Sequence, residues 1–276
     1  MADFSIGLSG LNAVQKSINV IGNNIANAAT EGYHKQRIDL SPSYYSTSGS
    51  AVVGGGVEVN DIRRVVDTLL EQEIYRQQSE SGELGQEENM LRTIENAFGD
   101  FSTEEGGLNS TIDKFFTSLH DLSKQPAVDT WLNQFVSTAN SMAGQFRTIG
   151  EYLTTLQTQI RLESQNVVDN INTLADQVAK LNNKIESIKL IDGDANAMCD
   201  QRDQLISELS NLIGIQTINR DNGVVDVSVG GIPMITGSTV CQIELGSDET
   251  GDLGISIKDG NTYETDVQGG CVSLLS

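Results

Sequence analysis

The chain has 276 residues and 38% of them are apolar, room for about two domains of ordinary size with buried cores. Seventeen Lys and Arg stand against 38 Asp and Glu, a net charge of −21, which repels phosphate backbones and anionic lipid headgroups and excludes nucleic-acid binding as a first reading. Aromatics are sparse at 5%, and 3 Pro against 27 Gly exclude a proline-rich linker protein.

The acidity is uneven. Residues 1–191 hold 24 acids and 14 bases, whereas residues 192–276 hold 14 acids and 3 bases, a shift that predicts a boundary near Asp192. Cys199, Cys241 and Cys271 are odd in number and far apart, so they form neither a disulfide framework nor a zinc-binding CxxC pair. The start, Met1-Ala2-Asp3, puts an acid where a secretory peptide needs a base, and Ser, Asn and Gly interrupt the apolar residues that follow. Neither a cleaved signal peptide nor a membrane span is predicted.

From Phe4 to Ala28 the apolar residues follow a heptad. Phe4, Leu11, Ile18 and Ile25 share one position, Val14, Ile21 and Ala28 the next, and Gly7 is the empty slot. Such a stripe is a narrow seam for one partner helix. Lys16 is the only charge between Phe4 and Thr30, so the opposite face is Ser, Asn, Gln and Gly. Gly7, Gly10 and Gly22 each cost about 1 kcal/mol against Ala, and the helix is expected to order only when neighbours in an assembly bury it. Thr30, Glu31, Gly32 and Tyr33 end it, Gly32 being free to take positive φ.

Residues 34–60 are predicted to be an extended Ser- and Gly-rich loop ending in Gly54, Gly55 and Gly56. It has no GxGxxG spacing and no following Lys-Ser/Thr, so no phosphate cradle is expected. A helical bundle is predicted over 61–212. Periodicity resumes at Ile62 through Val66, Leu69 and Leu70, weakens between Ser79 and Glu88 at Gly82 and Gly85, and returns at Met90, Leu91, Ile94 and Phe98. Two shorter amphipathic helices, Thr111 to Leu122 and Trp131 to Phe146, flank Pro126, with aromatics read as core filler. A stripe then runs from Ile149 through Leu153, Leu156, Ile160, Val167, Ile171, Leu174, Val178, Leu181 and Ile185 to Ile188, and Leu153, Ile160, Val167, Leu174, Leu181 and Ile188 are singled out as its bundle positions. Successive steps of four through Ser164 form a stutter. A last helix is predicted over Ala197 to Leu212, capped by Asp194 or Asn196.

Asp200, Arg202 and Asp203 form a small charge constellation in that last helix. It fits an acid pair for proton transfer or a structural ion pair, and the second reading is favoured because no nucleophile or base accompanies it in the sequence. His34 and His120 read as lone. After Gly214 the period becomes two: Ile215 and Thr217, then Val225, Val227 and Val229, flank an Asn222-Gly223 turn. Pro233 to Ile235, Thr239 to Leu245 and Leu253 to Lys258 continue a β-rich region over 213–276. The expected fold class is mainly α, a long helical bundle with coiled-coil-like helices followed by a small β-rich region, in an elongated multi-layer chain.

The segment from Ile6 to Tyr33, IGLSGLNAVQKSINVIGNNIANAATEGY, closely resembles the N-terminal signature of the bacterial flagellar axial proteins. Ser9, Gly10, Leu11, Asn23, Asn24, Ile25, Ala26, Asn27, Thr30, Gly32 and Tyr33 match it, while Ala29 and Glu31 replace the usual Asn and Pro. GGGVEVNDIRRVVDTLLEQEI, LRTIENAF, IDKFFTSLHDLSKQPAV and DQRDQLISELSNLIGI narrow the resemblance to the hook-associated protein 1 family. Trp131 stands where that family often has Arg.

The resemblance implies a structural subunit joining hook to filament and needed for filament assembly. It implies self-assembly into a ring, contact with the hook and a second junction protein, and a cytoplasmic export chaperone. Type III export to the extracellular flagellum without a cleaved signal is also implied. No enzyme activity, metal or cofactor, nucleic-acid partner or membrane insertion is expected. Another axial protein of hook or rod type, or a secreted adhesin or effector using the acidic β region, is the alternative. Family members return to the axis through a C-terminal heptad helix that this sequence lacks, so a truncated chain with an incomplete β-rich region is expected.

Overall fold

In a computed structural model of the chain, the described residues are 2–43, 46–48, 51–98, 107–191, 193–247, 253–257 and 270–271. Asp192, Lys258 and the stretch beyond Cys271, on which three of the sequence expectations fall, lie outside them.

Helix α1 (Ala2–Ala26) is followed by strand β1 (Gln36–Pro42), a short antiparallel pair of β2 (Ser46–Ser48) and β3 (Ala51–Val53), and β4 (Val57–Arg64). β1 and β4 pair antiparallel from Gln36↔Arg64 to Pro42↔Val57, with a register shift between Asp39 and Leu40. Here the structure corrects the sequence reading. Residues 36–42 and 57–60 are strands where an extended loop was expected, and 61–64, with Ile62, continue the second strand where the helical bundle was expected to begin. Ile38, Val57, Val59 and Ile62 carry the branched side chains that favour a pleated surface, while the Ser and Gly between them masked the signal.

Helix α2 (Thr68–Phe98) runs without interruption through Gly82 and Gly85. Gly82 does not weaken the helix because it serves packing: a Cβ there would stand 2.2 Å from the Asn211 carbonyl oxygen of α5 (Asn196–Leu212). Helix α3 (Gly107–Lys124) folds back on the start of α4 (Asp129–Lys189), a single helix of 61 residues where a break after Phe146 was expected. Gly144 and Gly150 are tolerated inside it. The α3–α4 turn is pinned by Phe115 against Phe135, ring centroids 5.4 Å apart, and by the 2.6 Å Ser118–Thr138 hydroxyl pair. Not every aromatic is core filler, since Phe116 and Phe146 are exposed.

The main apolar core lies around the second half of α4. Val168, Ile171, Ala175 and Val178 pack with Tyr75 of α2, Ile206 and Leu209 of α5, and a four-stranded antiparallel sheet. That sheet is ordered β5 (Ile215–Asn219), β6 (Val225–Val229), β7 (Ile232–Thr236), β8 (Thr239–Val240). A separate antiparallel pair, β9 (Ile243–Ser247) with β10 (Leu253–Ile257), adds Ile243 and Ile255 to the same core. The predicted Asn222-Gly223 turn is present, with Gly223 at φ 80°. Of the six stripe residues singled out on α4, Leu174 is buried, whereas Leu153, Ile160, Val167, Leu181 and Ile188 are half-buried. The most buried line keeps Ser164, Ile171, Val178 and Ile185 of the predicted stripe and adds Val168, Ala175 and Asn182 beside them. Among the described residues no helix is long and apolar enough to cross a membrane.

Candidate assembly site

The two faces of α1 have different fates. Phe4 (79% exposed), Leu11, Val14, Ile18, Ile21 (55%) and Ile25 all lie open to solvent along the heptad seam. Exposing one large apolar side chain is ordinary, but a continuous line of six is the mark of a surface that a partner covers. The other face, expected to be merely polar, has its own partner within the chain. Ala13 and Val20 are buried, and the β1–β4 hairpin lies along it.

The signature residues divide between these roles. Ser9 donates its hydroxyl to the Ile6 carbonyl at 2.8 Å and accepts the Val57 N–H at 3.2 Å. Gly56, at φ 99°, lets the strand come this close, because a Cβ there would fall 2.2 Å from the Ser9 hydroxyl. Asn24 acts like a strand edge: its amide donates to the Gln36 carbonyl at 2.9 Å and its oxygen accepts the Gln36 N–H at 2.8 Å. The Tyr33 hydroxyl donates to the same Asn24 oxygen. Asn27 caps the exit, donating its amide to the Asn23 carbonyl and accepting the Thr30 hydroxyl, and Gly32 turns the chain at φ 75°. Gly10 is half-buried and Ala26 exposed. Leu11 and Ile25 belong to the seam. The uncharged polar face that sequence alone could not explain is thus a docking face for the hairpin.

Below the hairpin lies an ionic cluster. Arg64 of β4 bonds Asp200 at 2.8 Å and Asp203 at 2.6 Å, both on α5. Arg202 bonds Asp203 at 2.8 Å and donates to the Gly223 carbonyl. His34 is not lone: Nδ1 faces Asp200 at 3.0 Å and Nε2 faces Glu71 of α2 at 3.2 Å. Hydrogen bonds to Asp200 and then Glu71 outweigh burial and Arg64, and push the His34 pKa up to about 9. Burial alone would raise Asp200, but hydrogen bonds from His34 and Arg64 hold it below the usual carboxylate range. Burial likewise opposes the charge on Arg64, and Asp203 and Asp200 more than offset it.

His34, Glu71 and Asp203 each bring a ligand atom within 4.8 Å of the others, a spacing at which cations bind. The guanidinium of Arg64 already neutralises Asp203, and His34 is itself a cation between its two carboxylates. Three positive groups meet three negative ones, so the chemistry of the cluster is that of a structural anchor. Neither Asp200 nor Asp203 is left free as an acid pair. His34, Arg64 and Glu71 escaped the sequence reading because they stand 166, 136 and 129 positions before Asp200 and carry no spacing signal.

Two family models match the chain. Residues 91–273 match the flagellar hook-associated protein FlgK helical domain. The chain belongs to the FlgK family. Residues 4–34 also match the flagella basal body rod protein model, which covers α1 and its exit. Flagellar hook-associated protein 1 of Salmonella typhimurium strain LT2 is 29% identical over 239 residues, covering 86% of this chain and 43% of that protein. Its counterpart in Bacillus subtilis strain 168 is 27% identical over 263 residues, covering 92% and 50%. The chain therefore spans about half the length of the curated relatives it matches. The flagellar hook junction protein FlgK of Burkholderia pseudomallei shares the fold at a TM-score of 0.64 and 24% identity, over 74% of this chain and 38% of that one.

Proposed function

We propose that this chain acts in a structural subunit of the bacterial flagellum, built into the junction between hook and filament and required for the filament to assemble. The observation that carries this reading is the uncovered seam of α1, whose six apolar side chains are between 55% and 79% exposed on a helix whose opposite face is already docked. A helix held from one side and bare on the other is suited to pack against axial helices of neighbouring subunits.

In this reading the segments are successive layers: α1 with its exit (1–33) at the axis, the hairpin region ending at β4 (34–64), the helical bundle (65–212) and the acidic β region (213–276) facing solvent. The subunit self-assembles as a ring, meets the hook on one side and a second junction protein on the other, and is delivered by an export chaperone through the type III apparatus without signal cleavage. Its work is mechanical, with no catalytic step or cofactor.

The decisive experiment introduces Ile18→Asp into the complete reading frame. Ile18 is 61% exposed, so fold stability should change by no more than about 0.5 kcal/mol, while motility and filament formation are lost. Motile filaments built with the variant would refute the seam as the assembly surface.

A further inference from the structure

The first 64 residues form a self-contained unit. α1, β1 and β4 are bound to one another by the Asn24–Gln36 and Ser9–Val57 bonds and by burial of Ala13 and Val20. They leave for the bundle at a single point, residues 65–67, where Asp67 caps α2 by accepting the N–H groups of Leu69 and Leu70. Among the described residues, neither apolar core cluster includes any member of α1, β1 or β4.

What holds this unit against the bundle is polar. The Asn196 amide donates to the Ile62 carbonyl at 2.6 Å, Arg64 engages Asp200 and Asp203, and His34 engages Asp200 and Glu71. Beside these bonds a cleft of about 340 Å³ opens between β4, α2, α5 and the β5–β6 turn, lined by Arg64, Glu71, Asn196, Asp203 and Gly223. Charge is partitioned to match. Residues 1–64 carry five acids and five bases besides His34, so the whole −21 resides in the remainder, with 33 acids and 12 bases. The N-terminal unit supplies two cations to a surface that without them would hold three carboxylates against Arg202 alone.

We propose that this contact is an ionic joint: His34 and Arg64 latch the α1–hairpin unit onto Glu71, Asp200 and Asp203, and when the latch opens the unit swings about residues 65–67 while both sides stay folded. Charge pairs release without exposing apolar surface, so opening costs less than separating a packed core of similar extent. Motion of this kind is rigid-body rotation about a short hinge. Every ionisable group facing His34 takes part: Asp200 on α5, Glu71 on α2 and Arg64 on β4, with Asp203, Arg202 and the buried Tyr75 behind them. The joint does not rest on the assembly role and is tested on the isolated chain.

The test is the distance between two spin labels, carried on ketone-bearing side chains at Lys16 and Asn183 so that the native cysteines stay in place; both positions are exposed. Pulsed dipolar spectroscopy on the 276-residue chain should give one narrow distribution at about pH 7. In the double variant His34→Gln with Arg64→Gln the distribution should become at least about twice as broad, while circular dichroism and the hydrogen-exchange protection of Gln36 and of α4 stay as they were. An unchanged width in that variant overturns the proposal, and so does a broad distribution in the wild type. Loss of protection at Gln36 together with broadening also overturns it, because the unit would then be unfolding and not swinging. Should the double variant fail to fold, the single variant Arg64→Gln taken from about pH 7 to about pH 10.5 decides, since His34, the remaining cation of the latch, loses its charge over that range. Reversible broadening supports the joint, and constant width overturns it.

Discussion

Asn24 and Gln36 are joined by two hydrogen bonds of 2.9 and 2.8 Å, a side chain on a helix satisfying both backbone groups of the first residue of a strand. The same Asn24 oxygen receives the Tyr33 hydroxyl, so one amide fixes the angle at which the chain leaves α1 and enters the hairpin. This is the physical content of the Asn-Asn-Ile-Ala-Asn stretch and of the Tyr that follows it.

Replacing Asn24 by Ala would leave the Gln36 N–H and carbonyl without these partners in a half-buried position, at about 1–3 kcal/mol. Hydrogen exchange at Gln36, Arg37 and Ile38 should accelerate at least about tenfold, while α4 and α5 keep their protection. Unchanged exchange at Gln36 would show that the hairpin is held by other contacts.

Gly82 and Gly85 lie one turn apart on α2 and should respond in opposite directions. A Cβ at Gly82 meets the Asn211 carbonyl oxygen, whereas one at Gly85 meets nothing within 4 Å. Gly82→Ala should destabilise by about 1–3 kcal/mol through overpacking, and Gly85→Ala should stabilise by about 0.5–1 kcal/mol through helix propensity. Urea midpoints of the two variants are the measurement, and equal shifts would contradict the packing.

Asn182 is fully buried on α4 and ties the helix to the sheet, donating to the Val225 and Gly237 carbonyls and accepting the Val225 N–H. Asn182→Leu should cost about 1–3 kcal/mol for each backbone group left unpaired. Thermal unfolding would report it as a markedly lower Tm. A variant as stable as the wild type would mean that the backbone groups find new partners.

His34 gives the stability a dependence on alkaline pH. Its pKa is raised from 6.5 to about 9 in the folded chain, so its contribution is fully present below pH 6.5 and is lost as pH rises through about 9. Because a quarter of the side chain is exposed, about 1–2 kcal/mol is expected after allowance for solvent screening. Denaturant midpoints for wild type and His34→Gln should converge toward about pH 10; a constant difference would exclude His34 as the source. Asp200 acts in the opposite sense. Its lowered pKa gives stability that is lost as pH falls through the folded value.

Features that depend on local periodicity were legible in the sequence. The heptad of α1, the ranges of α3 and α5, and the Asn222-Gly223 turn are all written in spacings of three, four or two residues. The family signature is also local, a run of 28 residues from Ile6 to Tyr33. Periodicity fell short where a residue serves a distant partner. Gly82 looked like a helix breaker because its reason lies on α5. Ile38 and Ile62 face each other across the hairpin, yet 23 residues rich in Ser and Gly separate them. Continuity of α4 past Phe146 was set by the surfaces that α3 and the core give it.

The meaning of the charges came from the fold. His34 meets Asp200 across 166 residues and Arg64 meets Asp203 across 139, separations at which one sequence carries no record of the pairing. Coulomb attraction is governed by distance in space, and the fold alone supplies that distance. The seam was legible as a pattern; that its reverse face is occupied and its apolar face bare became known only when the hairpin was seen lying against α1.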